Sequence, residues 1–122
     1  MSAAPLETLK KRRDFLAAAR ARRRAMPAFV LQARRRDADQ APGRVRVGFT
    51  CSKKVGNAVA RNRAKRRLRS IAHQVLPQDG RPGWDYVLIG RAGATASHPF
   101  DAMVSDLIQA LGHLHAAAGE AR

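Results

Sequence analysis

The amino-acid sequence predicts an α+β sandwich in which helices pack on a small sheet. Three observations carry this reading. Val45, Val47, Phe49 and Cys51 alternate with Arg44, Arg46, Gly48 and Thr50, the period-two pattern of a half-buried strand. Residues 85–91 are almost continuously apolar, as a central strand covered on both faces would be. Phe100, Met103, Val104, Leu107, Ile108, Leu111 and Leu114 recur at helical spacing. A chain of 122 residues with 45% hydrophobic content has room for one domain and one modest core. That domain is expected to span residues 1–122, with an ordered part over 8–115 and flexible termini.

The remaining elements follow in order. Residues 9–24 read as a short helix with Phe15, Leu16 and neighbouring alanines on its apolar side, and Pro27 limits its extension. Residues 29–33 read as a strand, and 37–43 as a polar turn. The strand over 44–51 turns one face to the core and a polar, cationic face outward, and residues 51–55 leave room for a further strand. Asn57 is placed to cap a helix. In that helix Ala60, Ala64, Leu68, Ile71 and Val75 fall on one stripe. Asn62, Lys65, Arg66 and Arg69 fall opposite, with Arg61 and Arg67 flanking the apolar stripe. Pro, Gly and Asp break the chain over 77–83, and 93–99 is a loop before the last helix, whose apolar residues are core. There are no internal repeats.

The net charge of +15 and a pI near 11.8 point to a polyanionic partner. The charge is concentrated. Residues 52–69 hold eight of the 24 Lys and Arg residues, and residues 40–78 contain no acid. A helix kept soluble by its own charges would mix signs to gain i,i+4 pairs, and this one has no acid to pair with. A cationic, glycine-containing turn that runs into a cationic helix is chemistry for a phosphate backbone. Asn62, a neutral and modest helix former in the middle of that face, can both donate and accept hydrogen bonds to a nucleotide.

Other classes are set aside. There is no run of about 18 apolar residues for a membrane span, and no apolar segment with a cleavage site for secretion. The Arg- and Ala-rich N-terminus also fits an organellar transit peptide. Cys51 is the lone cysteine, so an internal disulfide and a cysteine-based zinc site are excluded. It reads as a small buried hydrophobe in a protein of the reducing cytoplasm. The histidines at 73, 98, 113 and 115 lack ligand spacing, and the nine acids are dispersed. No catalytic residue and no protein-borne metal site is expected.

The stretch Ser52-Lys53-Lys54-x-Gly56-Asn57-Ala58-Val59-x-Arg61-Asn62-x-x-Lys65-Arg66-x-x-Arg69 resembles the signature of the bacterial ribonuclease P protein subunit. The likeness extends more loosely over residues 9–114, through Asp14-Phe15, Arg46-Val47-Gly48, Asp85-Tyr86 and Arg91. It implies a two-layer sandwich with a small mixed sheet, similar to domain 2 of ribosomal protein S5, with a left-handed βαβ crossover through the basic helix. It also implies a role: binding a large catalytic RNA and the 5′ leader of precursor tRNA. The leader would be removed with Mg²⁺ held mainly by RNA and substrate, and no membrane or obligate protein partner is implied. On this resemblance the RNA-binding residues are Ser52, Lys53, Lys54, Asn57, Arg61, Asn62, Lys65, Arg66 and Arg69. The leader-binding residues are Arg13, Phe15, Arg46, Thr50 and Arg91. Phe15 reads either as core or as a stacking platform on the open face of the sheet. Family members often carry further aromatics where this chain has Ala19 and Gln32, which shifts leader contacts toward Phe15 and cationic groups. Composition and periodicity alone fit a ribosomal or other structural RNA-binding protein equally well. A DNA-compacting protein shares the charge but lacks a groove-docking motif. The 52–69 pattern favours the ribonuclease P reading.

Overall fold

A computed structural model describes residues 6–37 and 40–117. Five strands form one mixed sheet: β1 (Leu6–Thr8), β2 (Arg22–Ala25), β3 (Phe29–Arg35), β4 (Val45–Thr50) and β5 (Trp84–Gly90), in the order β1-β4-β5-β3-β2. β4 runs parallel to both β1 and β5, whereas β3 is antiparallel to β5 and β2. The helices are α1 (Arg12–Ala19), α2 (Ala58–Asp79), a single turn α3 (Ala94–Ser97) and α4 (Phe100–Ala117). α2 joins the parallel neighbours β4 and β5 and so forms the βαβ unit. The flexible termini expected from the sequence fall largely on 1–5 and 118–122, which lie outside the described residues.

Alternation along each strand sorts the side chains between the two faces. Trp84, Tyr86 and Leu88 of β5 join Phe29, Leu31 and Ala33 of β3 and Val45 and Val47 of β4 under α2 and α4. The helices answer with Leu68, Ile71, Ala72, Val75 and Leu76, and with Met103, Leu107, Ala110, Leu111 and Leu114. Each large apolar side chain buried here stabilises the fold by roughly 1.5–3 kcal/mol relative to its exposed state. The C-terminal half of α4 is also tied down by polar contacts. The buried Tyr86 hydroxyl accepts from the Arg81 N–H at 2.9 Å and lies 2.7 Å from His115 Nε2. Burial pushes the Tyr86 phenol well above its ordinary pKa. Among the described residues the other face of the sheet carries the helix α1, whose Ala18 packs with Leu9 and Val87, with Phe15 and Ile89 alongside.

Several elements differ from the sequence reading, each for a physical reason. The first helix ends at Ala19, because the apolar stripe of Phe15 and Ala18 meets arginine one turn on. The chain instead enters β2, and Met26 N–H donates to the Phe29 carbonyl at 2.8 Å to close the turn around Pro27. Residues 51–55 contain a 3₁₀ turn, Lys53–Val55, and no strand. α2 runs through Pro77 to Asp79, where a missing N–H is tolerated because burial of Val75 and Leu76 holds the last turns to the sheet. Within the expected loop 93–99, Ala94–Ser97 forms the turn α3. Ile108 is 46% exposed, since the stripe of α4 is wider than the surface that covers it. Cys51 is half-buried, beyond the end of β4 and facing Gly90.

Candidate nucleic-acid interface

The turn before α2 is built from its own side chains. The Ser52 hydroxyl accepts from Lys54 N–H at 3.3 Å, and Asn57 Oδ1 caps α2 by accepting from Ala60 N–H at 2.9 Å. Gly56 has φ +144°, and a Cβ there would stand 2.7 Å from the Ala60 Cβ, so only glycine fits. Ser52 and Asn57 therefore shape the loop with their oxygens, while Lys53 and Lys54 extend into solvent.

α2 presents two faces, as its sequence indicates. Ala64, Leu68, Ile71, Ala72, Val75 and Leu76 are buried. Asn62, Arg63, Arg66 and Arg69 are exposed, and Arg61 and Lys65 are half-exposed along the margin beside Cys51. Burial raises the Cys51 thiol pKa, against a smaller opposing pull from the Gly90 backbone, Lys65 and Arg61. Arg69 stacks its guanidinium 5.5 Å from the Phe49 ring centroid, which orients it without neutralising it. Among the described residues no carboxylate pairs with Lys53, Lys54, Arg61, Arg63, Lys65, Arg66 or Arg69. Arg67 behaves differently. It donates to the Thr95 and His98 carbonyls, both at 2.8 Å, and lies 5.9 Å from the Phe100 ring centroid. Its place beside the apolar stripe was the signal that it fastens α2 to the segment before α4.

On the α1 face, strand register lines residues up in rows. Thr50, Ile89 and Val30 pair across β4, β5 and β3 and are all partly exposed, a shallow platform whose Ile89 packs beside the α1 cluster. The next row is Gly48, Val87 and Gln32, all buried. Phe15 lies flat over Gly48: a Cβ there would meet its ring at 2.4 Å. The ring is half-buried, so it both packs against the sheet and keeps an exposed edge.

The third row is an ion cluster. Arg46 donates to Asp85 through Nε at 2.7 Å and Nη2 at 2.9 Å, and lies 3.6 Å from Asp14. The Asp85 hydrogen bond is the main reason the Arg46 pKa is raised, desolvation acting the other way. Arg46 thus stands on the expected face with its charge matched by a fully buried carboxylate. Arg13 is exposed on α1, and Arg91 is exposed just past β5, where its Nη1 donates to the Met26 carbonyl at 2.7 Å. The sequence-derived site residues thus form two groups: the turn and outer face of α2, and the α1 side of the sheet with its neighbouring loops.

Among the described residues the donor set does not suit a protein-held divalent cation. Asp14 and Asp85 are engaged by arginines, and no group of three or more His, Cys, Asp or Glu side chains among the described residues could hold a metal. No described helix is long and apolar enough to cross a membrane.

The family model for ribonuclease P matches residues 4–115. The chain belongs to the ribonuclease P protein family. It is 66% identical over 111 residues to the ribonuclease P protein component of Ruegeria pomeroyi, covering 91% of this chain and 88% of the relative. With the ribonuclease P protein component of Paramagnetospirillum magneticum it shares 50% identity over 111 residues, 89% of this chain and 83% of the relative. The RNase P protein from Thermotoga maritima superposes with a TM-score of 0.68 at 27% identity, over 86% of this chain and 94% of the other. That from Staphylococcus aureus gives 0.58 at 25% identity, over 94% and 97%. Membership gives the chain the role of a ribonuclease P protein subunit in tRNA processing, within a ribonucleoprotein, and sets aside the ribosomal reading.

Proposed function

We propose that the outer face of α2 and the Ser52–Asn57 turn hold the catalytic RNA, while the platform of Thr50, Ile89 and Val30, edged by Phe15, receives the 5′ leader of precursor tRNA. The observation that carries this reading is the division of α2: a buried apolar stripe backed by a cationic face without acidic partners among the described residues. Such a face gains counterion release and charge-assisted bonds on meeting phosphates. The platform lies at the ends of β4 and β5 from which the basic turn and Arg91 emerge, so one RNA strand can pass from a stacking floor to cations. Arg91 stands just past β5 beside this path, Arg13 lies exposed on α1 two residues before Phe15, and Arg46, held by Asp85, lies two rows further along the same face. The protein contributes affinity and substrate positioning in the bacterial cytoplasm. Hydrolysis of the phosphodiester bond belongs to the RNA, with Mg²⁺ held by the RNA and the substrate.

The test is reconstitution with a bacterial ribonuclease P RNA at low Mg²⁺. Addition of the protein restores cleavage of precursor tRNA, and replacing Lys65, Arg66 and Arg69 together by Ala weakens assembly. The same variant flattens the slope of log affinity against log salt by roughly 0.7–0.9 for each phosphate it no longer neutralises. An unchanged slope in a variant still folded by circular dichroism overturns the α2 assignment.

A further inference from the structure

The far edge of the sheet carries a second cationic surface. β2 is an edge strand, and all four of its residues are exposed. Its register places Arg22 opposite Ala33, Arg23 opposite Gln32 and Arg24 opposite Leu31. Ala33 and Leu31 belong to the core under α2 and α4. Arg22 and Arg24 therefore project on the α4 side of the edge, and Arg23 on the α1 side. Arg20, Arg22, Arg34 and Arg35 line an open concavity of about 470 Å³ that reaches down to Trp84. Among the described residues Arg20, Arg22, Arg23 and Arg24 have no ion-pair partner. Arg34 is part of the Asp85 cluster and fixes one wall of the concavity.

We propose that this β2 edge is a second docking surface for the phosphodiester backbone of the ribonucleoprotein's own RNA subunit. A polyanion is the occupant because arginines leave an edge strand on both faces, and one wall forms a concavity of arginine forks, which match phosphate oxygens. The RNA subunit, and not the substrate leader, is the source because of position. The concavity sits at the Arg35–Trp84 end of β3 and β5, whereas the leader platform sits at the Val30–Ile89 end. Five residue steps of β3 separate them, on the order of 15 Å or more. Arg22 and Arg24 also face away from the platform, whereas Arg23, opposite Gln32, lies on the platform's own side and is left unchanged in the test. α2, in turn, lies on the β1–β4 side of the sheet. The subunit would be gripped from two sides by one folded RNA.

The test titrates RNA subunit with the full-length protein in which Arg20, Arg22 and Arg24 are all Ala. Assembly is expected to weaken about 10- to 100-fold, and the salt slope to fall by roughly two units. Affinity of the assembled holoenzyme for precursor tRNA is expected to stay unchanged, and the triple Lys variant to retain the original slope. A charge-matched control replaces Lys10, Lys11 and Arg12 by Ala, three exposed cations elsewhere. Loss of equal size in that control overturns the proposal, because net charge would then explain it. An unchanged assembly affinity overturns it too, as does a loss confined to precursor binding. The Lys65/Arg66/Arg69 variant in the same titration reads the α2 surface independently, so failure of one assignment leaves the other standing.

Discussion

Replacing Asp85 by Ala tests the ion cluster beneath α1. Asp85 is fully buried and accepts from Arg36 at 2.6 Å, from Arg46 at 2.7 and 2.9 Å, and from Arg34 at 3.5 Å. The Arg36 side chain is itself 0% exposed, and its remaining donors reach the carbonyls of Trp84, Gln40, Ala41 and Arg44. Removal of the carboxylate leaves those hydrogen bonds but strands a positive charge out of water. Two unit charges about 4 Å apart attract by about 4 kcal/mol at an effective dielectric constant near 20. Measured losses on breaking buried pairs are about 3–5 kcal/mol. Because domains are stable by only about 5–15 kcal/mol, Asp85→Ala removes at least roughly a fifth of the total. Asp85→Asn is no rescue, since its amide turns N–H groups toward arginine donors. Urea unfolding followed by circular dichroism reads the change as a lower midpoint with an unchanged slope. A loss below about 1 kcal/mol would refute the argument that the carboxylate holds these cations in place.

Three other outcomes are expected on substitution, and one from the purified protein itself. Leu68→Ala, at 0% exposure, costs about 2–5 kcal/mol of stability. Asn62→Ala and Arg66→Ala on the opposite face change stability by about 0.5 kcal/mol or less and weaken RNA assembly instead; denaturant melts beside RNA titrations decide this. Gly48→Ala forces the Phe15 ring off the sheet, with about 1–3 kcal/mol of strain and weaker binding of leader-bearing precursor but not of leaderless tRNA, read by competition binding. Highly purified protein free of RNA leaves precursor tRNA uncut, because no described cluster of side chains can hold a metal; specific cleavage by such a preparation refutes this.

The elements with strong internal periodicity were legible from residues alone. α4 and β4 show the period of their burial, β5 shows the unbroken apolar run of a strand covered on both faces, and Asn57 marks the start of α2 by the chemistry of its side chain. β1 and β2 were not legible, and the reason is local. β1 has three residues and β2 four, and the arginines of β2 carry no alternation of hydrophobicity. Their pairing with β4 and β3 is what makes them strands. The site divides in the same way. The cations of α2 were legible because acids are absent from the neighbouring sequence as well as from the neighbouring space. Arg46 reads as one more outward cation, yet its partner Asp85 is 39 residues away and is brought opposite by β4–β5 register alone. Ser52 and Asn57 belong to the RNA-facing motif by resemblance, while their side-chain oxygens serve the loop's own backbone.

The last helix gives the molecule an electrical orientation. α4 carries Asp101 and Asp106 and no lysine or arginine, whereas α2 and the β2 edge carry uncompensated cations. In the field of a large RNA the free subunit therefore experiences a torque as well as an attraction. α4 lies between α2 and β2 on one face of the sheet, so its outer surface is an anionic strip between two cationic ones, and a polyanion is drawn to either flank before it meets α4. Encounter is thereby biased by the acids the chain keeps as much as by the bases it displays. The solvent side of α4 is thus the part of this face that RNA is least drawn to, where a fluorophore would report association while interfering with it least.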